Sequence, residues 1–112
     1  AELHLRLPGL FVSVFSRACR EGDLVTVKHL LQRNRIRNVN QVQSDNTNAL
    51  QQASARNHPD VVQHLLEVPG IGHSVSYVFP GKGTVLDIAK SLKRDSKIIS
   101  MLEGFGDDFM DR

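Results

Sequence analysis

Apolar residues along the chain gather in short clusters at helical spacing, separated by polar stretches rich in turn formers. Val61, Leu65 and Leu66 recur at i, i+4 and i+5, and Ile98, Ile99 and Leu102 at i, i+1 and i+4, the spacing that lines one face of a helix. Ahead of each such set lies another: Val14, Phe15 and Ala18, then Leu50 and Ala53, then Leu86 and Ala89. The small alanine lets a neighbouring backbone approach closely. Between the paired sets stand Gly22 and Asn57, the residues best suited to the left-handed conformation that ends a helix. Lys93, their counterpart in the third pair, fits that conformation poorly and predicts a shifted turn. Asp23 and Ser96 are the expected N-caps, and Pro59 suits a first helical turn, where its missing amide proton has no intrahelical acceptor. The pattern predicts pairs of short helices joined by tight turns.

These pairs repeat. Phe15 to Leu31 aligns with Leu50 to Leu66 at an offset of 35, matching Ala18 with Ala53, Val27 with Val62, His29 with His64, Leu30 with Leu65 and Leu31 with Leu66. A third copy places Leu86 for Leu50, Ala89 for Ala53, Ile98-Ile99 for Val61-Val62 and Leu102 for Leu65, with one extra residue between its halves. The connections correspond too, Val39 with Val75 and Val42 with Val78 at an offset of 36. Alternation of Val39, Gln41 and Gln43, and of Val75, Tyr77 and Phe79, around Ser44-Asp45-Asn46 and Pro80-Gly81-Lys82-Gly83, predicts short extended pairs closed by tight turns. A helix pair with one projecting loop cannot bury its apolar face alone, so the units must stack. The expected division is an N-terminal segment 1–12, a first repeat 13–47, a second 48–83, a C-terminal helix pair 84–104 and a tail 105–112.

In this register the chain resembles the ankyrin repeat, whose pattern runs Asp-Gly-x-Thr-Pro-Leu-His-Leu-Ala-Ala, two free positions, Gly-His, then x-Glu-Val-Val-Lys-Leu-Leu-Leu. The second copy, from Asp45-Asn46-Thr47-Asn48-Ala49-Leu50 through Asn57-His58 to Val61-Val62-Gln63-His64-Leu65-Leu66, matches without a gap. The first matches at Phe15, Ala18, Gly22-Asp23 and Val27 to Leu31, and Asn38-Val39-Asn40 is similar to the family's Asp-Val-Asn. The likeness covers about residues 13–104. The Thr-Pro-Leu-His tetrapeptide is replaced by Ser13-Val14-Phe15-Ser16, Asn48-Ala49-Leu50-Gln51 and Thr84-Val85-Leu86-Asp87, and both connections are longer than the family's. The resemblance implies an all-α, ankyrin-type repeat solenoid of antiparallel helix pairs joined by hairpin-like loops. It implies a noncatalytic module that binds a partner protein through loop tips and the concave inner-helix face. The family's variable positions fall on Ser44, Asp45, Thr47, Ala55 and Arg56, with Arg20 and Glu21 equivalent to the last two. Such divergence is similar to ankyrin segments of intracellular bacterial effectors and of some viruses and protists; a bacterial effector would place the chain in a host cytosol.

Length changes this picture little: 112 residues make one domain or a piece of one. Hydrophobic residues at 40% and charged ones at 23% are ordinary for a folded domain and argue against disorder or a coiled coil. A net charge of +2 is too small to announce a nucleic-acid or membrane partner. A lone cysteine, Cys19, excludes an internal disulfide and suits a reducing, intracellular setting, cytoplasmic or nuclear. No targeting or membrane-spanning stretch is visible, and a chain beginning at Ala1 is expected to be a segment of something longer.

Candidate chemistry is sparse. His29 and His64 are better explained by repeat equivalence than as a metal pair with His58 or His73, since no His-x-x-x-His or Cys-x-x-Cys spacing accompanies them; His58 is expected to cap or pack at a turn between repeats. Gly81-Lys82-Gly83-Thr84 lacks the spacing of a phosphate-binding loop and reads as a turn. No nucleophile, base and orienting group assemble into a catalytic set, and no cofactor or metal is expected. Residues 1–58 carry eight Lys and Arg against four acids, and Arg33, Arg35 and Arg37, with Lys28 nearby, form the one basic cluster. It suits an acidic protein or simple solvation better than nucleic acid, for which interleaved aromatics are missing. Tyr77 and Phe79 are either exposed aromatic anchors or tucked beneath their loop. Two other readings stand beside protein binding: a targeting or regulatory part of an enzyme or effector whose catalytic part lies outside this chain, or a structural or oligomerisation unit stacking on further repeats through Leu10, Phe11 and the Phe105 region.

Overall fold

In the computed structural model, residues 10–110 are described, with side chains from 11 to 105. Helices α1 (Leu10–Glu21), α2 (Leu24–Gln32), α3 (Ala49–Ala55), α4 (Pro59–Leu66), α5 (Gly72–Ser76), α6 (Val85–Ser91) and α7 (Ser96–Met110) follow in chain order. Among the described residues there is no strand, only an isolated antiparallel bridge between Phe79 and Gly83.

Six of the helices form three hairpins, α1 with α2, α3 with α4 and α6 with α7, arranged so that α1, α3 and α6 pack in one row and α2, α4 and α7 in another. Burial follows the periodicity at Phe15, Ala18 and Cys19 of α1, Val27 and Leu30 of α2, Val61, Val62 and Leu65 of α4, and Ile98 and Leu102 of α7, whereas Val14, expected on the same face as Phe15, is exposed. Helix α3 is the extreme case. Its residues Ala49 to Ser54 are all buried, because α1 flanks it on one side, α6 on the other and α4 behind.

The three hairpin turns share one hydrogen-bond design. The amides of Asp23, His58 and Arg94 donate to the carbonyls of Ala18, Ala53 and Ala89 at 2.8, 3.0 and 3.0 Å, and the residue before each donor, Gly22, Asn57 and Lys93, has φ of 78°, 67° and 56°. This is the six-to-one closure of a left-handed helix stop. Lys93 adopts the same conformation as its counterparts despite its poor fit, because the closure satisfies three orphan carbonyls and that outweighs a side chain's cost of roughly 1–2 kcal/mol in this region. The extra residue falls after it, since α7 begins three residues beyond Lys93 where α2 and α4 begin two beyond Gly22 and Asn57. Asp23 caps α2 as expected, accepting from the Thr26 amide at 3.1 Å, and Pro59 opens α4. For α7 it is Asp95, not Ser96, whose carboxylate accepts the Lys97 amide at 2.9 Å.

Side chains at these turns also join one hairpin to the next. His58 Nε2 lies 2.8 Å from the Arg20 carbonyl at the end of α1, so the ring donates to a carbonyl that has run out of intrahelical partners. Its ring fills the space a Cβ on Gly22 would occupy, 2.5 Å from Nδ1. One hairpin later, the Asp95 amide donates to Asn57 Oδ1 at 2.8 Å.

Both connections close in the tight turns expected at Ser44-Asp45-Asn46 and Pro80-Gly81-Lys82-Gly83, but the extended arms are not strands. The first is a loop whose tip closes by Gln43 N–H donating to the Thr47 carbonyl at 2.8 Å, with Val39 buried at its base. In the second, Val75 lies in helix α5 rather than in an extended arm. Ile71 and Ser74, three apart, are both buried there, and Asn40 of the first loop accepts from the Ser74 amide at 3.1 Å while donating to the Gly70 carbonyl at 2.9 Å. The extra residues of this connection are thus absorbed as a helical turn. The last helix also runs through the expected 104/105 boundary to Met110.

Candidate interaction surface

Antiparallel hairpins divide the sequence-predicted positions between two ends of the stack. Arg20 and Glu21 close α1, and Ala55 and Arg56 close or follow α3, so these four lie at the turn end. Glu21 and Arg56 are exposed, Arg20 and Ala55 half-buried. Glu21 pairs with Arg17 one turn back at 3.6 Å, a solvated pair of little energetic weight.

Ser44, Asp45 and Thr47 lie at the opposite end of α3, about 10 Å of helix from Arg56 at 1.5 Å per residue. Asp45 is exposed but held: its Oδ1 accepts from the Thr47 amide at 3.2 Å and hydroxyl at 2.6 Å, while Thr47 Oγ1 accepts from Gln52 Nε2 at 2.8 Å. The loop tip is thereby tied to the buried face of α3. Asn48 anchors it further, accepting the Gln51 amide at 2.8 Å as N-cap.

Arg33, Arg35 and Arg37 are exposed at this same loop end, and the Arg35 guanidinium lies 5.3 Å over the Phe11 ring. Of the two aromatic candidates, Phe79 is not an exposed anchor: it is 2% accessible and part of the core. The bridge to Gly83 folds the loop over it, and Tyr77, half-buried, packs edge-on at 4.8 Å between centroids. Val78 between them is the exposed apolar side chain.

The glycine-rich turn makes the same point about phosphate. Phe79 N–H donates to the Gly83 carbonyl at 2.8 Å, closing a hairpin turn, and the Asp87 carboxylate accepts the Thr84 amide at 3.0 Å in a capping box. A carboxylate already occupies the helix terminus that an anion would need. Cys19 is fully buried, and desolvation pushes its thiol up to about 12. His29 is exposed, and His64 stands 4.0 Å from Glu67, the residue that follows its helix; among the described residues no group of three His, Cys, Asp or Glu side chains could hold a metal. No helix among the described residues is long and apolar enough to cross a membrane.

A feature that sequence reading passed over is an open groove of about 300 Å³ between the glycine-rich turn and helices α3 and α6, lined by Gln51, Gly81, Lys82, Ile88, Ser91 and Leu92. Gln51 and Ile88 look like routine helix positions in sequence, and only the stacking of α3 on α6 beneath the turn makes them walls. A larger depression of about 510 Å³ lies between the second connection and α7, with Leu66, Val68, Ile71, His73 and Phe105 among its lining. Neither a protein-family model, nor a curated protein sequence, nor a solved structure matches the chain.

Proposed function

We propose that the chain is a noncatalytic protein-binding module of ankyrin type that works inside a cell, taking a partner protein along its loop tips and inner-helix face. The observation that carries this reading is the threefold hairpin turn, with Gly22, Asn57 and Lys93 in one conformation and each preceding alanine carbonyl accepting the same closing bond. Units that repeat at that level of detail form a stiff scaffold, and a scaffold that is already ordered loses little entropy when a partner docks. Hydrogen bonds tying Asp45 and Thr47 to α3 support the same view, since they hold a projecting loop ready. The module reads its partner through side chains at both ends of α3. Swapping charge there with Asp45→Lys/Arg56→Glu leaves net charge unchanged and is expected to weaken a captured partner by about tenfold or more, with the helical fold retained although the loop bonds of Asp45 are lost. Equal retention of every specifically captured protein by wild type and variant would remove this surface from the proposal.

A further inference from the structure

Residues 24–44 contain no aspartate or glutamate, yet they carry Lys28, Arg33, Arg35 and Arg37. Ion pairs among the described residues join Arg17 to Glu21 and Lys90 to Glu103, and His64 lies 4.0 Å from Glu67; none involves this group. The flanking acids are engaged elsewhere, Asp23 with Thr26 and Asp45 with Thr47. Four cations are thus concentrated on one hairpin with no ion pair among the described residues to neutralise them.

The backbone beneath them is fixed. Arg33 N–H donates to the His29 carbonyl at 3.1 Å, Arg35 N–H to the Leu30 carbonyl at 3.0 Å, and Asn34 between them has φ of 55°, the same stop that closes the hairpin turns. Ile36 is half-buried against the core while its neighbours Arg35 and Arg37 are exposed, so both of those side chains are open to solvent. Arg35 is further positioned by the Phe11 ring, which keeps its flat face covered and its donor edge free. The repeat does not demand this charge. At the equivalent place after α4 the chain reads Glu67-Val68-Pro69-Gly70-Ile71, with no cation at all.

We propose that the Arg33–Arg37 turn is a docking site for an extended acidic polypeptide segment, with guanidinium groups gripping carboxylates on alternate residues. Arg35 and Arg37 are no more than about 7 Å apart along the backbone, the spacing of alternate side chains on an extended peptide. Guanidinium forks pair with carboxylates through two parallel hydrogen bonds, which adds geometry to charge. A single-stranded nucleic acid is disfavoured because stacking needs an open aromatic face, and the one ring at the turn is covered by Arg35. This inference rests on the protein-binding reading and names the chemistry of one part of the partner.

The test is fluorescence polarisation with a labelled oligoglutamate peptide and the whole chain. Wild type should bind saturably, with affinity falling between about 50 and about 200 mM salt as the charges are screened. Arg33→Gln/Arg37→Gln should weaken binding about tenfold without moving the melting midpoint. Lys93→Gln/Lys97→Gln, which removes the same charge from another face, should change it less than about twofold. No saturable binding by wild type, equal losses in the two double variants, or tighter binding of a labelled oligothymidylate would each overturn the assignment. Arg56→Glu, at the opposite end of α3, should keep its oligoglutamate affinity, so the loss of the inner-helix surface and the loss of this turn are separate results.

Discussion

Asn57 and Lys93 show at single-residue scale how a repeated backbone imposes itself on unequal side chains. Asn is the non-glycine residue most at ease in the left-handed region, whereas Lys gains nothing there and carries roughly 1–2 kcal/mol of steric cost. Lys93→Gly is therefore expected to raise stability by about 1 kcal/mol, read as a higher denaturant midpoint at unchanged slope. Gly22→Ala should do the reverse and by a larger margin, because its Cβ would meet both the wrong φ and the His58 ring. If both substitutions are silent, the turns do not hold the hairpins as described. Cys19 supplies a second check. A fully buried thiol pushed up to about 12 is almost entirely protonated at neutral pH, and the thiolate is the reactive form. A disulfide reagent at pH 8 should leave it untouched in the folded protein and modify it once denaturant is added; rapid labelling without denaturant would contradict the packing of α1.

Among the helices, α2 depends most visibly on its cap. Asp23 accepts from both the amide and the hydroxyl of Thr26, and these bonds, side chain first, hold its carboxyl below the ordinary value. A carboxyl depressed by folding stabilises above its unfolded pKa, about 3.9 for aspartate, and loses that contribution as pH falls through the folded value. Asp23→Ala should therefore melt lower than wild type at pH 7, and the gap should close as the solution is acidified below about pH 4. A gap independent of pH would show that the cap works through geometry alone. Helix α5 belongs to this scale as well. Its five residues are too few to persist unaided, and Asn40 reaching across from the preceding loop supplies the bonds that fix it.

Across the whole molecule, stability is shared between neighbours. The central hairpin packs against both others, so damage there is felt at both ends, while damage in the last hairpin is felt at one. Leu65→Ala, in the centre, should cost about 2–5 kcal/mol and lower amide protection in all three hairpins together. Leu102→Ala, in α7, should loosen α6 and α7 while α1 and α2 stay protected. Hydrogen exchange resolved by segment distinguishes the two patterns, and identical profiles for both variants would mean the stack unfolds as one indivisible unit.

Helix faces, the 35-residue spacing and the positions of the turns could all be read from the chain, because each depends on residues a few positions apart. Leu30 and Leu65 are core residues for the same reason that they are equivalent in the repeat. The all-helical class follows from that local periodicity. Choices between alternatives of similar local energy could not be read. Val75, Tyr77 and Phe79 alternate like a strand, yet Asn40, more than thirty residues away, stabilises α5, and the loop closes over Phe79. Lys93 accepts an unfavourable φ because the Ala89 carbonyl needs a partner. The groove around Gln51 and Lys82, and the covering of Phe11 by Arg35, exist only where elements distant in sequence meet. Local spacing dictates what each segment prefers; which preference survives is decided by the neighbours it must pack against, and those are set only when the hairpins stack.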